Sequence, residues 1–145
     1  HQFIKTGKPM LGICLGMQLI FESSQEDAPA DDQPILGLGL VKGQVKRFAG
    51  NAYGPGKLKV PHMGWNSIDI QRPVKLFDGL EDQSHVYFVH GYYCCPTDAS
   101  ITIATTDYGD PFCSSIQQDN LWATQFHPEK SQRIGLKMLE NFATC

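Results

Sequence analysis

The stretch LGICLGMQLIF, residues 11–21, sets Cys14 between Gly12 and Gly16, with a short apolar run before it and good helix formers after it. A buried structural cysteine has no need of that frame, since it normally sits among branched aliphatics. A sharp strand-to-helix turn that pushes a side chain into the open does need it, because close neighbours must lack a Cβ and the central residue is held in a strained conformation. The pattern G-x-C-x-G therefore reads as the thiol version of a nucleophile elbow, with a strand over residues 10–13 and a helix over 15–22. Free N–H groups at the helix start favour thiolate over thiol, and the N–H of Leu15 is placed to hold a developing oxyanion. On these residues alone, Cys14 is either a reactive nucleophile or a buried turn cysteine.

A thiol nucleophile needs a base, and FHPE at residues 126–129 supplies one directly after the apolar strand LWATQ. Residues two apart on an extended segment face the same side, so Glu129 is positioned to fix the tautomer of His127 while the other ring nitrogen faces Cys14. By itself the pair reads better as a strand-end histidine beside a solvated glutamate; together with the elbow, the reading reverses toward catalysis. The other histidines fit less well. His85 and His90 are an odd number apart and point to opposite faces of one strand, which also argues against a chelating pair. His62 lies in a loop-like stretch without a carboxylate companion.

The 145 residues form one domain, and 12 basic against 15 acidic side chains leave a net charge of −3 without a basic stripe. Nucleic acid and anionic membranes are poor partners for such a surface; a small molecule or another protein suits it better. The chain has no secretory segment and no apolar run long enough to span a bilayer, and its five cysteines are odd in number with no CxxC pair. This composition reads as cytosolic with reduced thiols. Cys94, Cys95, Cys113 and Cys145 are taken as structural or incidental. GLGLVKG at residues 37–43 has the wrong spacing for a dinucleotide fingerprint, and Gly56-Lys57 lacks the rest of a P-loop.

Along the chain, the opening residues read as a helix tail and loop, and residues 23–34 as a polar, proline-bearing loop. Strands are expected over 39–48, 65–70, 85–90, 101–106, 112–117 and 121–126, with a closing helix capped by Ser131 and running to Phe142. Strands with flanking helices argue an α/β domain whose later strands form an antiparallel patch.

The motifs GICLGMQ and QFHPE together resemble the class I, or triad, glutamine amidotransferases. KVPHMGWN (59–66), YFVH (87–90) and HPEKS (127–131) make the chain similar, over nearly its whole length, to the glutaminase subunits of imidazole glycerol phosphate synthases in histidine biosynthesis. The resemblance implies a flavodoxin-like open sheet flanked by helices and a Cys14–His127–Glu129 triad that hydrolyses glutamine without metal or cofactor. It further implies that Gly12, Gln18, Glu26, Gly91 and Tyr92 line the glutamine site. The implied partner is a (β/α)8 cyclase that takes the ammonia through a tunnel, with Met63, Trp65, Tyr87 and Lys130 at the heterodimer interface. On sequence alone, Trp65 is equally a core aromatic and Lys130 a solvated charge.

Gly91 stands where the family usually carries a hydroxyl residue, and Ala123-Thr124 where it carries a glycine and an apolar residue. These departures leave open a paralogous role in nucleotide-sugar or surface-polysaccharide synthesis. The family's N-terminal strands and glycine-rich oxyanion loop have no counterpart before His1, so the chain is expected to be a C-terminal portion, with catalysis lost and docking retained as the rival reading.

Overall fold

The computed structural model describes residues 1–30 and 33–145. Its strands are β1 (Met10–Ile13), β2 (Phe21–Ser24), β3 (Ile35–Leu36), β4 (Val41–Arg47), β5 (His62–Ser67), β6 (Asp69–Ile70), β7 (His85–His90), β8 (Tyr92–Pro96), β9 (Thr102–Tyr108), β10 (Asp110–Gln118) and β11 (Leu121–Thr124). The helices are α1 (Leu15–Leu19) and α2 (Gln132–Phe142). The main sheet runs β1-β11-β10-β8-β4-β2-β3, with β9 also paired to β10 and β6 to β9. Pairing is parallel for β1 with β11 and for β2 with β4. The ladders β9-β10-β11 are antiparallel, as expected for the later strands. A separate antiparallel pair, β5 with β7, stands off the main sheet. No helix among the described residues is long and apolar enough to cross a membrane.

Two apolar cores cover opposite faces of the sheet, because successive strand side chains alternate. Trp122 joins Phe126, Phe88 and Met138 in one core, whereas its neighbours Leu121 and Ala123 join Met17, Ile20 and Phe21 in the other. The helix expected over 15–22 ends at Leu19, and the chain turns at once into β2. Tertiary pairing overrides helix propensity there: Phe21 is buried opposite Val41, and its carbonyl accepts from Gly39 N–H. The loop expected over 23–34 thus loses Ser23 and Ser24 to β2, while its residues 31 and 32 lie outside the described residues. The opening segment is a single 3₁₀ turn, Ile4–Thr6, tied down by Asn120, whose amide donates to the carbonyls of Ile4 and Lys8. β8 and β3 had no counterpart in the sequence reading, and the strand expected over 65–70 divides into β5, which starts at His62, and β6.

His62 is the clearest correction. Far from lying in a loop, it opens β5 and is stacked between Tyr108 and Phe88, with ring centroids 3.9 and 4.7 Å away. Its Nδ1 lies 3.1 Å from His90 Nε2, and His90 Nδ1 lies 2.7 Å from the Tyr92 carbonyl. A carbonyl only accepts, so His90 Nδ1 carries hydrogen, His90 Nε2 is the acceptor, and His62 Nδ1 donates to it. Burial holds both rings neutral, lowering His62 to about 4 and His90 to about 3 against an ordinary 6.5. His85 is exposed, on the opposite face to His90 as the spacing required.

The elbow needs one of its two glycines for steric reasons. A Cβ on Gly12 would lie 2.9 Å from the Gly16 carbonyl oxygen, whereas a Cβ on Gly16 meets nothing within 4 Å. The expectation that both must lack a side chain holds only for Gly12; Gly16 instead supplies the backbone that Gly12 must clear. Gly12→Ala is therefore expected to destabilise the chain by about 1–3 kcal/mol, as overpacking does. Gly16→Ala, inside α1, should be neutral or stabilising by up to about 1 kcal/mol. Denaturant midpoints test this contrast, and equal losses in the two variants would contradict it.

The histidine pair makes a second prediction. Unfolded histidines take up protons near pH 6.5, but the folded pair does so only near pH 4 and 3. Below 6.5 the unfolded state binds more protons, so stability should fall as pH drops toward 4. Denaturation at stepped pH checks this: the slope should shrink in His62→Phe, and an identical slope in both proteins would count against it.

Candidate active site

The end of β1 and the end of β11 lie side by side, and that adjacency builds the site. Ile13 pairs with Thr124, and the Cys14 N–H donates to the Thr124 carbonyl at 2.7 Å. Cys14 then takes φ 51° and ψ −108°, a conformation that non-glycine residues seldom adopt and that the elbow reading anticipated. Its carbonyl accepts from Met17 N–H at 3.0 Å and Gln18 N–H at 3.2 Å, which starts α1 at once. The thiol is partly buried. It points to the Val89 carbonyl of β7 at 3.9 Å, and the Gln125 side-chain amide donates to the sulfur at 3.8 Å.

Burial pushes the Cys14 thiol above its ordinary value, although hydrogen bonds from the Leu15 N–H and from Gln125 act the other way. Glu26 and Glu129 add to the rise. The helix start was expected to favour thiolate; desolvation outweighs it, and the negative charges of Glu26 and Glu129 act in the same direction as burial.

His127 is fixed through its backbone, its N–H donating to the Tyr87 carbonyl at 2.9 Å and its carbonyl accepting from Ser131 Oγ at 2.6 Å. Ser131 was expected to cap α2, but its hydroxyl caps nothing; it ties His127 to β7 by also accepting from Tyr87 N–H at 3.0 Å. Gly135 lets α2 lie against this turn, since a Cβ there would fall 1.8 Å from the Pro128 carbonyl oxygen. Glu129 meets His127 through a 3₁₀ turn, Pro128–Lys130, rather than along an extended strand. The contact is nevertheless short, 2.6 Å from Nδ1 to Oε1. The carboxylate accepts, so Nδ1 carries the hydrogen, and in the neutral ring Nε2 is the nitrogen with the lone pair. That Nε2 is buried and has no hydrogen-bond partner among the described residues.

A cavity of about 280 Å³ opens beside the elbow, lined among others by Leu15, Gln18, Leu19, Glu26 and Gly37. Of the residues expected around glutamine, Gln18 and Glu26 line it and Gly12 shapes the elbow. Burial raises the Glu26 carboxyl above its usual range, with Asp27 adding to the effect. Gly91 and Tyr92 lie behind Gln18, not on the cavity wall: the Tyr92 carbonyl accepts from Gln18 Nε2 at 3.2 Å and the Gly91 carbonyl from Phe48 N–H. A Cβ on Gly91 would meet Val60 no closer than 3.7 Å, so nothing within the chain demands glycine there.

Of the residues expected at an interface, Met63, Trp65 and Tyr87 lie on the paired strands β5 and β7. Met63 and Trp65 share one face, 63% and 47% exposed, which settles Trp65 as a surface aromatic. Tyr87 lies opposite Trp65 in register with ring centroids 6.0 Å apart, and exposed Lys130 sits in the turn that Ser131 ties to Tyr87. Sequence reasoning quoted Gln125 without a role, and missed Val89 and the His62–His90 pair. A lone glutamine in the run LWATQF was the available signal, because a buried amide must find partners. Cys94 and Cys113 face each other across β8 and β10, both buried, with the Cys113 thiol pushed up to about 12.

The family described as glutamine amidotransferase class-I matches residues 1–144. Curated relatives named "Imidazole glycerol phosphate synthase subunit HisH" include one from Syntrophotalea carbinolica, 53% identical over 96% of this chain and 66% of its own length. Others come from Aquifex aeolicus, 48% identical over 98% of this chain and 63% of the relative, and Desulfitobacterium hafniense, 45% identical over 97% and 61%. The chain thus spans less than two thirds of the length of these relatives. Among solved structures, a glutamine amidotransferase from Thermotoga maritima aligns with TM-score 0.60 at 19% identity, covering 99% of this chain and half of that one. A second solved glutamine amidotransferase aligns with TM-score 0.60 at 18% identity over 98% of this chain and 65% of the other. At those identities the likeness speaks for the fold, while the match to residues 1–144 decides descent: the chain belongs to the class I glutamine amidotransferases.

Proposed function

We propose that this chain carries the glutaminase centre of an imidazole glycerol phosphate synthase, releasing ammonia from L-glutamine for a cyclase subunit in histidine biosynthesis. The observation that carries the reading is the state of His127: Nδ1–H is held by Glu129 while buried Nε2 has no hydrogen-bond partner among the described residues, on the segment that leaves β11, the strand paired with the one before the Cys14 elbow. An acceptor nitrogen kept dry and unpaired is costly unless chemistry uses it. The relatives' printed names point to the same activity.

In this mechanism glutamine enters the cavity beside Gln18 and Glu26 with its side-chain amide at Cys14. The thiol turns from the Val89 carbonyl to His127, its proton passes to Nε2, and the sulfur attacks the amide carbon. The Leu15 N–H stabilises the oxyanion. Collapse breaks the C–N bond; His127 returns the proton to the departing nitrogen, which leaves as ammonia, and a glutamyl thioester remains. Water then attacks with His127 as base, releasing glutamate and restoring the thiol. Glu129 keeps the tautomer throughout. Because burial holds Cys14 as a thiol, proton transfer accompanies attack, which suits an enzyme that should not consume glutamine idly. The patch of exposed Met63 and Trp65 with half-buried Tyr87, together with Lys130, is the surface offered to the cyclase, a partner of (β/α)8 type in the cytoplasm.

A glutamine-mimicking electrophile should modify Cys14 and none of the other four cysteines, and Cys14→Ala should abolish glutamine hydrolysis. Mass spectrometry that finds Cys113 labelled equally, or full turnover in the alanine variant, would sink the proposal. At the interface, Trp65→Ala and Lys130→Ala should each weaken binding to the cyclase about tenfold or more while Cys14 stays reactive. Calorimetric affinities unchanged in both variants would remove this face from consideration.

A further inference from the structure

The buried amide of Gln125 is used by nothing in the mechanism above, yet it touches the sulfur at its centre. Its side chain is fully buried, and its backbone N–H is fixed by the Ser114 carbonyl at 2.9 Å. Oε1 accepts from Gln18 Nε2 at 3.2 Å, and Nε2 donates to Cys14 Sγ at 3.8 Å.

The hydrogen-bond pattern dictates which end of the amide faces which neighbour. Gln18 Nε2 donates to the Tyr92 carbonyl as well as to Gln125, so both hydrogens of that amide are committed to acceptors. Turning Gln125 over would set two NH₂ groups against each other and a carbonyl oxygen against the sulfur. The Tyr92 carbonyl is itself held by His90 Nδ1–H, His90 by His62, and His62 by the rings of Tyr108 and Phe88. A rigid aromatic core is thus connected, bond by bond, to the orientation of one N–H group at the thiol.

We propose that Gln125 is a positioning residue for the nucleophile: its side-chain N–H, aimed by Gln18, holds the Cys14 sulfur in the elbow and stabilises it as negative charge develops. An amide is neutral at every working pH, so this donor acts before any substrate or partner arrives. It opposes the carboxylates that act on Cys14, Glu26 after β2 and Glu129 after β11, both of which resist a charged sulfur; the buried Cys94 thiol on β8, itself pushed well above its ordinary value, stays neutral. The inference rests on the reading of Cys14 as the nucleophile.

The test measures thiol ionisation instead of turnover. Alkylation of Cys14 by iodoacetamide, followed by peptide mass spectrometry across about pH 6 to 10, yields a midpoint for the full chain and its variants. Gln125→Glu keeps the shape and the acceptor for Gln18 but replaces the N–H with a negative oxygen; its midpoint should rise by about one unit or more, cutting the thiolate at neutral pH about tenfold. Gln125→Met, similar in shape and without polar atoms, should rise by less. Gln18→Met leaves Gln125 in place but unaimed, and should move in the same direction. A purely structural role would lower the thermal midpoint of these variants without moving the alkylation midpoint, and that result would overturn the proposal. Since no step depends on glutamine, a shifted midpoint supports the role of Gln125 even in a chain that hydrolyses none, a result that would overturn the functional reading alone.

Discussion

The parallel ladder between β1 and β11 is the constraint on which the site depends. Residue 14 follows one of these strands and residues 125 to 129 follow the other, so their common register decides how far the thiol lies from the imidazole. The bond from Cys14 N–H to the Thr124 carbonyl continues that ladder one residue past β1, into the strained elbow. Gly12, opposite Ala123, makes the turn possible by letting the carbonyl of Gly16 come close. A slip of one residue in this register would put Cys14 on the wrong face of the sheet.

Around that ladder the polar groups are arranged so that the thiol rests uncharged. It faces the Val89 carbonyl, with carboxylates at Glu26 and Glu129 acting against ionisation and the Leu15 and Gln125 N–H groups acting for it. His127, in contrast, is held on one nitrogen by Glu129, and its other nitrogen has no partner among the described residues. In the proposed mechanism, binding of substrate or partner supplies the last adjustment between thiol and imidazole. Val89 is well placed for that, since it pairs with Met63, whose side chain lies on the exposed face of the β5–β7 pair. The same short strand therefore touches the Cys14 thiol and the strand that bears this exposed face.

The elbow, the His127 and Glu129 pair, the antiparallel character of the later strands and the split of His85 from His90 were all legible in residue types and spacing. They are local: a glycine frame, a period of two, and a proline-stiffened turn each act within a few residues of chain. The length of α1 was not legible, because Ile20 and Phe21 suit helix and strand alike until Val41 pairs beside them. Nor was the part played by Ser131, which reads as a helix cap and serves to brace His127 against β7.

What the amino-acid sequence determined by itself is the candidate set, one thiol, one imidazole and one carboxylate, and the backbone turn that displays the first of them. What only the tertiary structure decided is how those groups are tuned. Burial, not the helix start, sets the state of Cys14, because desolvation depends on everything packed around the sulfur. Likewise His62, His90, Gln18 and Gln125 lie far apart in the chain, and their donor and acceptor roles exist only once the fold brings each to its neighbour. Spacing along a chain encodes faces and turns; it does not encode which buried polar atom will be left facing which, and that is settled by packing alone.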